Sequence, residues 1–394
     1  MTLTIIIAVC FFILIAYLFD ITSSRTKIPS VILLLLLGWA IKQLTDFFKF
    51  RHIPDFSLIL PILGTIGLIL IVLEGSLSIK MNRAKSALIV KSFFGALLPM
   101  FALAFSLVCL IMYFGGYSFK ISLINAIPLC VISSAFAIPS TINLSSANRE
   151  FIIYESSLSD VIGVVFFNFI VLNNNFNFYS FGYLGLQCLI ILFVSFISIV
   201  GLSFLLSKIE HHIKFIPIIL IVILIYSIAE FYNLPALIFI LLFGLFLGNI
   251  DVLKKFKRME KFHSKELDTE INKFRELTNE SAFLVRTFFF LIFGYLIETS
   301  MVLNMADLIW AICIVAFIFV FRTIQLKISK LPLMPLLFIA PRGLVTILLF
   351  LSIGSTQRIL FISRPLIVQV VVLTSLLMMA GLMISTKRES IQSQ

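Results

Sequence analysis

The sequence predicts an all-α polytopic membrane protein with about thirteen transmembrane helices. Three observations carry this. Of 394 residues, 61% are hydrophobic and only 12% are charged, whereas a soluble domain carries about 25% charged residues. Apolar runs near the ~20 residues that a bilayer span needs recur along the whole chain. Lys and Arg cluster in alternate breaks between those runs. A soluble enzyme, a nucleic-acid-binding module and a secreted disulfide scaffold are excluded. The net charge of +11 reflects basic residues gathered in cytoplasmic loops.

In order, the runs fall at 3–19, 29–45, 57–79, 86–114, 119–143, 151–172, 181–207, 213–230, 234–249, 281–299, 304–326, 332–353 and 365–385. The first has no basic residue before it and no small-residue cleavage site after it, so it reads as a retained span. Breaks after odd-numbered spans, with the C-terminal tail, hold more than two thirds of the 30 Lys and Arg. The expected topology in a cell (inner) membrane is N-terminus outside and C-terminus cytoplasmic. One longer polar segment, 251–280, is dense in Lys and Arg and has Leu267, Ile271 and Phe274 at helical spacing. It reads as an amphipathic connector on the anionic cytoplasmic leaflet. Cys10, Cys109, Cys130, Cys188 and Cys313 show no CxxC spacing and read as inert thiols buried in apolar runs. His52, His211, His212 and His263 fall in solvated loops. No cofactor is expected.

Ionisable residues inside spans cost about 2.5–3.5 kcal/mol each even on a lenient scale. Glu74, Glu155, Asp160, Glu230, Arg286, Arg322 and Arg342 bear that cost, with Glu298 near a span end. Asp160 lies about nine residues into the sixth span, roughly 13 Å deep at ~1.5 Å per residue. Ser156 shares its face at i−4, and Glu155 with Ser159 form the neighbouring stacked pair. Two carboxylates and two hydroxyls are hard oxygen donors suited to a small cation.

Spans five and twelve are broken. The fifth contains Ser133-Ser134-Ala135-Phe136-Ala137-Ile138-Pro139-Ser140-Thr141, and the twelfth Ala340-Pro341-Arg342-Gly343-Leu344-Val345-Thr346. Proline removes a helix donor and clashes with the preceding turn. The two are offset by seven spans, an odd number, so they cross in opposite directions, as an inverted repeat with a midplane transport site requires. Arg342, a guanidinium at a break, calls for a carboxylate partner.

These residues resemble the monovalent cation/proton antiporter superfamily, in its sodium/proton exchanger branch. Leu73-Glu74-Gly75-Ser76-Leu77 is similar to that branch's F-E-G-x-L. Glu155-Ser156-Ser157-Leu158-Ser159-Asp160 is similar to its E-S-x-x-N-D. Arg322 falls where it carries a basic residue, and the twelfth-span segment is similar to its G-x-R-G-A-V-S. The resemblance runs from about residue 29 to 385. It implies one transporter domain over 1–394, a homodimer in lipid, and a mobile core holding two crossed discontinuous helices, spans five and twelve. It implies that the cation, Na⁺ foremost among Na⁺, Li⁺ and K⁺, meets Asp160 with help from Glu155 and Ser156. Glu74 matches an acid supporting the motif's Asn, and Arg322 or Arg342 would neutralise Glu155. Two departures stand out. Ala135-Phe136-Ala137 aligns with the branch's T-D-P, the proline being displaced to Pro139, and Ser159 replaces the motif's Asn. Ser133, Ser134, Ser140 and Thr141 are the hydroxyls that can substitute.

The expected activity is antiport of a monovalent cation against a proton, the two competing for Asp160. Only Asp160 is free to titrate when Glu155 is paired, so the exchange is expected to be electroneutral. Two other readings stay open: a K⁺/H⁺ exchanger of the same fold, and a transport-inactive membrane sensor or scaffold.

Overall fold

A computed structural model describes residues 2–26, 28–48, 59–79, 85–141, 144–173, 178–208, 215–249 and 265–392. The four histidines and residues 251–264 of the connector lie outside them. The described chain is helical: α1 (Thr2–Thr26), α2 (Ser30–Phe47), α3 (Ile59–Ser78), α4 (Ser86–Gly115), α5 (Phe119–Cys130), the single turn α6 (Ser134–Ala137), α7 (Ser146–Leu172), α8 (Phe178–Lys208), α9 (Phe215–Phe231), α10 (Ala236–Gly248), α11 (Lys265–Tyr295), the short α12 (Thr299–Val302), α13 (Met305–Ile328), α14 (Leu344–Ser352) and α15 (Arg364–Gln392).

Nine stretches among the described residues are long and apolar enough to cross a membrane, one of them running through α5 and α6, with shorter apolar helices in α1, α9 and α10. The count of thirteen full spans is therefore not reproduced. Large apolar side chains such as Leu14, Phe105, Phe193 and Phe196 are exposed on α1, α4 and α8, as surfaces bathed in lipid permit. Cys10 and Cys109 are exposed there too, so the expectation that every thiol is buried holds for Cys130 but not for these two. The tenth span begins earlier than its apolar stretch, because α11 is one helix from Lys265 to Tyr295. Its first turns bury Ile271 and Phe274, and Phe274 meets the rings of Phe243 and Phe215. The helical spacing read in this stretch thus belongs to α11, but Ile271 and Phe274 pack into the bundle instead of lying on the lipid leaflet.

The helices form two packed groups. In one, α11 lies against α2 and α3, and α10 against α3, α8 and α9. Gly38 and Gly294 let α2 and α11 touch backbone to backbone: a Cβ on Gly38 would lie 2.8 Å from the Tyr295 nitrogen, the close approach small residues allow in membranes. In the other, α4, α5 and α7 pack together, α13 lies on α4 and α15, and α14 on α5. The groups meet where α3 touches α6, α7 and α14, and where α10 touches α7.

The broken spans lie at that meeting. After α5 the chain is extended through Val131–Ser133, and α6 is followed by a 3₁₀ turn, Pro139–Thr141. The twelfth span departs further from expectation. Only α14 is helical, and residues 331–343 are turns and extended chain. Pro332, Pro335 and Pro341 fall within that short stretch, and each removes a helical donor.

Candidate ion-binding site

The two breaks are joined by a backbone bond. The Ser133 N–H donates to the Pro341 carbonyl at 2.9 Å. Gly343 permits the crossing, since a Cβ there would overlap the Phe136 ring and lie 2.9 Å from Ser133 Oγ. Its own backbone is extended, so space, not φ, is what demands glycine.

α7 runs beside the crossing and presents its polar face to it. Asp160 is 1% exposed. Its Oδ2 accepts from the Ser134 hydroxyl and, at 3.3 Å, from the Ser134 N–H. Its Oδ1 is buried without a partner. Ser159 Oγ accepts from the Ile132 N–H at 2.9 Å, so it satisfies an amide that the break leaves free. Ser156 donates to the Ile152 carbonyl at 2.7 Å. It shares a face with Asp160, but no hydrogen bond joins them. Ser140 and Thr141 donate to the Phe136 and Ile138 carbonyls, both at 2.7 Å. Of the four candidate hydroxyls, Ser134 is the one bonded to Asp160, and Ser133 Oγ is buried and unpartnered beside Gly343. The residues that meet Asp160 thus precede Ala135-Phe136-Ala137, the stretch that the motif alignment indicates.

Glu155, on the same helix, is bound to Arg322 of α13. The guanidinium also donates to Gln325 Oε1 at 3.0 Å, to the Leu336 carbonyl at 3.2 Å and to the Ile339 carbonyl at 3.4 Å, and lies 5.9 Å from the Phe151 ring centroid. Of the two arginines that the sequence offers, Arg322 is the partner of Glu155.

Arg342 has no carboxylate partner among the described residues. Its Nε donates to the Leu129 carbonyl at 2.7 Å and its Nη1 to the Ala340 carbonyl at 3.0 Å, while its peptide N–H donates to Thr374 Oγ1 at 3.1 Å. The carboxylate expected for it is replaced by the C-terminal end of α5, whose last carbonyls are unsatisfied and carry the negative end of the helix dipole. Glu74 does not reach Ser159. It lies 3.6 Å from Arg286 of α11, on α3.

Sequence reasoning misses Gln325 and Thr374. Gln325 stands one turn after Arg322, a spacing that is readable in the sequence. Nothing local marks Thr374, which meets Arg342 only through the packing of α15.

A site of this kind offers one carboxylate with a free oxygen, hydroxyls and peptide groups, at a crossing of two interrupted segments buried from water. A family model described as sodium/hydrogen exchanger, transmembrane, matches residues 10–387. No curated protein matches the sequence. Two solved structures of the sodium proton antiporter MjNhaP1 from Methanocaldococcus jannaschii share the fold. One, at pH 8, has a TM-score of 0.63 at 18% identity, covering 97% of this chain and 96% of that one. The other, an electron-microscopy map, has a TM-score of 0.67 at 18% identity, covering 99% and 97%. The chain belongs to the sodium/hydrogen exchanger family, whose members are membrane transporters and not enzymes.

Proposed function

We propose that the chain exchanges Na⁺ for H⁺, one for one, with Asp160 as the shared binding group. The observation that carries this reading is Asp160 itself: a carboxyl 1% exposed, bonded only to Ser134, with Oδ1 unpartnered and no basic group paired to it among the described residues. A bare charge in that position is costly, so the site favours one occupant, a proton or a cation, and opposes movement when empty. The cation draws on Asp160 Oδ1, with Ser134, the hydroxyl bonded to Asp160, and Ser156, one turn earlier on the same helix face, as the supporting hydroxyls. Glu155, Arg322, Arg342, Glu74, Ser159, Pro139 and Pro341 support the site without carrying the ion. The chain works as a homodimer in the cell (inner) membrane, with its C-terminus and the 251–280 connector cytoplasmic.

Reconstituted protein in liposomes loaded with a pH dye tests this. Na⁺ gradients are expected to drive proton movement that Asp160→Asn abolishes. Movement with K⁺ and not Na⁺ replaces the cargo. None with Na⁺, Li⁺ or K⁺ leaves a transport-inactive membrane protein.

A further inference from the structure

A cavity of about 550 Å³ runs along the seam between the two helix groups. Phe101 of α4, Leu123 of α5, Val165 of α7, Leu184 of α8 and Ile238 of α10 are among its walls, and every residue that lines it is apolar. Asp160 does not line it. The wall contributed by α7 runs from Leu158 to Ile170, about 18 Å at ~1.5 Å per residue. That is close to one leaflet, half of a hydrocarbon core about 30 Å thick. The cavity opens past Phe93, Phe101 and Phe119, which are 40%, 42% and 44% exposed. Leu98 and Phe105, also on α4, are exposed as well, so the mouth gives onto a surface bathed in lipid.

The walls decide what can fill it. A buried water needs about two to four polar partners, and a hard cation needs oxygen ligands; these walls supply neither. An empty hollow forfeits the dispersion contacts of its lining. In a bilayer the filler at hand is an acyl chain. A cation stands at one end of the groove. Lys120, which follows Phe119, donates to the carbonyl of Val171, which follows Ile170, at 3.4 Å, and Phe119 and Ile170 both line the cavity. Tyr113 and Tyr117 belong to the same α4–α5 corner, and Phe114 there meets Trp310 with 5.0 Å between ring centroids. Tyr and Trp gather at the membrane–water boundary. Lys120 is therefore at headgroup level, where a lysine binds phosphate as a point charge.

We propose that this cavity is a phospholipid site, in which one acyl chain lies along α7 from Ile170 to Leu158 and the lipid phosphate meets Lys120. A lipid seated there touches α4, α5 and α7 of one helix group and α8 and α10 of the other, so it forms part of the seam between them. The site does not depend on which cation Asp160 takes.

The test uses phosphatidylglycerol with a diazirine at the tip of one acyl chain, as a minor component of liposomes that hold the purified protein. After illumination, mass spectrometry is expected to find peptides with Leu158 or Ile162 labelled several-fold above those with Phe193 and Phe196, the exposed face of α8 that serves as baseline. Val165→Trp, which fills the groove, should cut the groove labelling several-fold and leave the α8 baseline unchanged. Lys120→Gln should do the same, and Lys120→Arg, which keeps the charge, should label like wild type. Misfolding would disturb the baseline too; if Val165→Trp does so, the lysine pair decides. Equal labelling of the groove and α8 is ordinary bilayer contact and overturns the inference. So does groove labelling that Lys120→Gln leaves unchanged, and so does labelling of α8 without the groove, the result expected where a second copy of the chain covers it.

Discussion

Glu155 and Asp160 stand five residues apart on one helix, and both are at most 1% exposed. Their surroundings differ in kind. Glu155 meets a guanidinium that Gln325 and two carbonyls also hold. Asp160 meets one serine and, among the described residues, no base. A buried charge with a fixed counter-charge is neutralised permanently, whereas one without it must take its neutralising partner from outside. The first arrangement suits a strut between α7 and α13. The second suits a site that is filled and emptied. Nothing in the residue types separates the two acids; their partners do.

The largest expected effect follows directly. Asp160→Asn keeps the shape and the Ser134 contact but loses the exchangeable group, so exchange should fall to background while the protein still inserts and elutes as wild type. Wild-type exchange by that variant would erase the distinction between the two acids.

Breaking the strut tests the other side. Glu155→Ala leaves Arg322 buried and unpaired, which costs about 3–5 kcal/mol. Thermal unfolding in detergent should shift down accordingly. Arg322→Gln should do the same, and combining both changes should recover part of the loss. Equal melting of both single variants and wild type would show that the pair does not support the fold.

A smaller effect is expected at the crossing that seats Asp160. Gly343→Ala places a methyl against the Phe136 ring and Ser133 Oγ, an overpacking worth about 1–3 kcal/mol. Melting should drop by less than for Glu155→Ala, with a reduced exchange rate. An unchanged rate would mean that the breaks can part without disturbing Asp160.

The smallest expected response is to voltage. With Glu155 bound to arginine and Ser159 unable to titrate in this range, one proton should move per cation. Exchange of Na⁺ in liposomes clamped with valinomycin should then ignore the imposed potential. A rate that tracks the clamp would show that another acid carries protons, and Glu155 would no longer stand apart from Asp160 as a fixed partner.

Much of the fold is legible in the sequence. Apolar runs mark most of the helices, since bilayer spans must be apolar. Prolines mark both breaks, and the depth of Asp160 in its span marks the candidate site. Other features are not legible there. The early turns of α11 are polar, and only contact with Phe243 and Phe215 shows that they pack inward. The motif alignment points to Ala135-Phe136-Ala137, but the extended chain after α5 brings Ser133 to the crossing and Ser134 to Asp160 instead.

By itself the sequence determined the class of protein, the two interrupted spans and the short set of acids that bear a membrane's cost, because hydropathy, proline and charge act through local chemistry. The tertiary structure decided which arginine neutralises Glu155, that Arg342 is satisfied by the carbonyl end of α5 and not by an acid, and that Glu74 faces Arg286. Those outcomes depend on which helices become neighbours. A buried charge is satisfied by whatever donor or acceptor lies within about 3 Å, and residues separated by more than a hundred positions, such as Glu155 and Arg322, come that close only through the packing of the whole bundle.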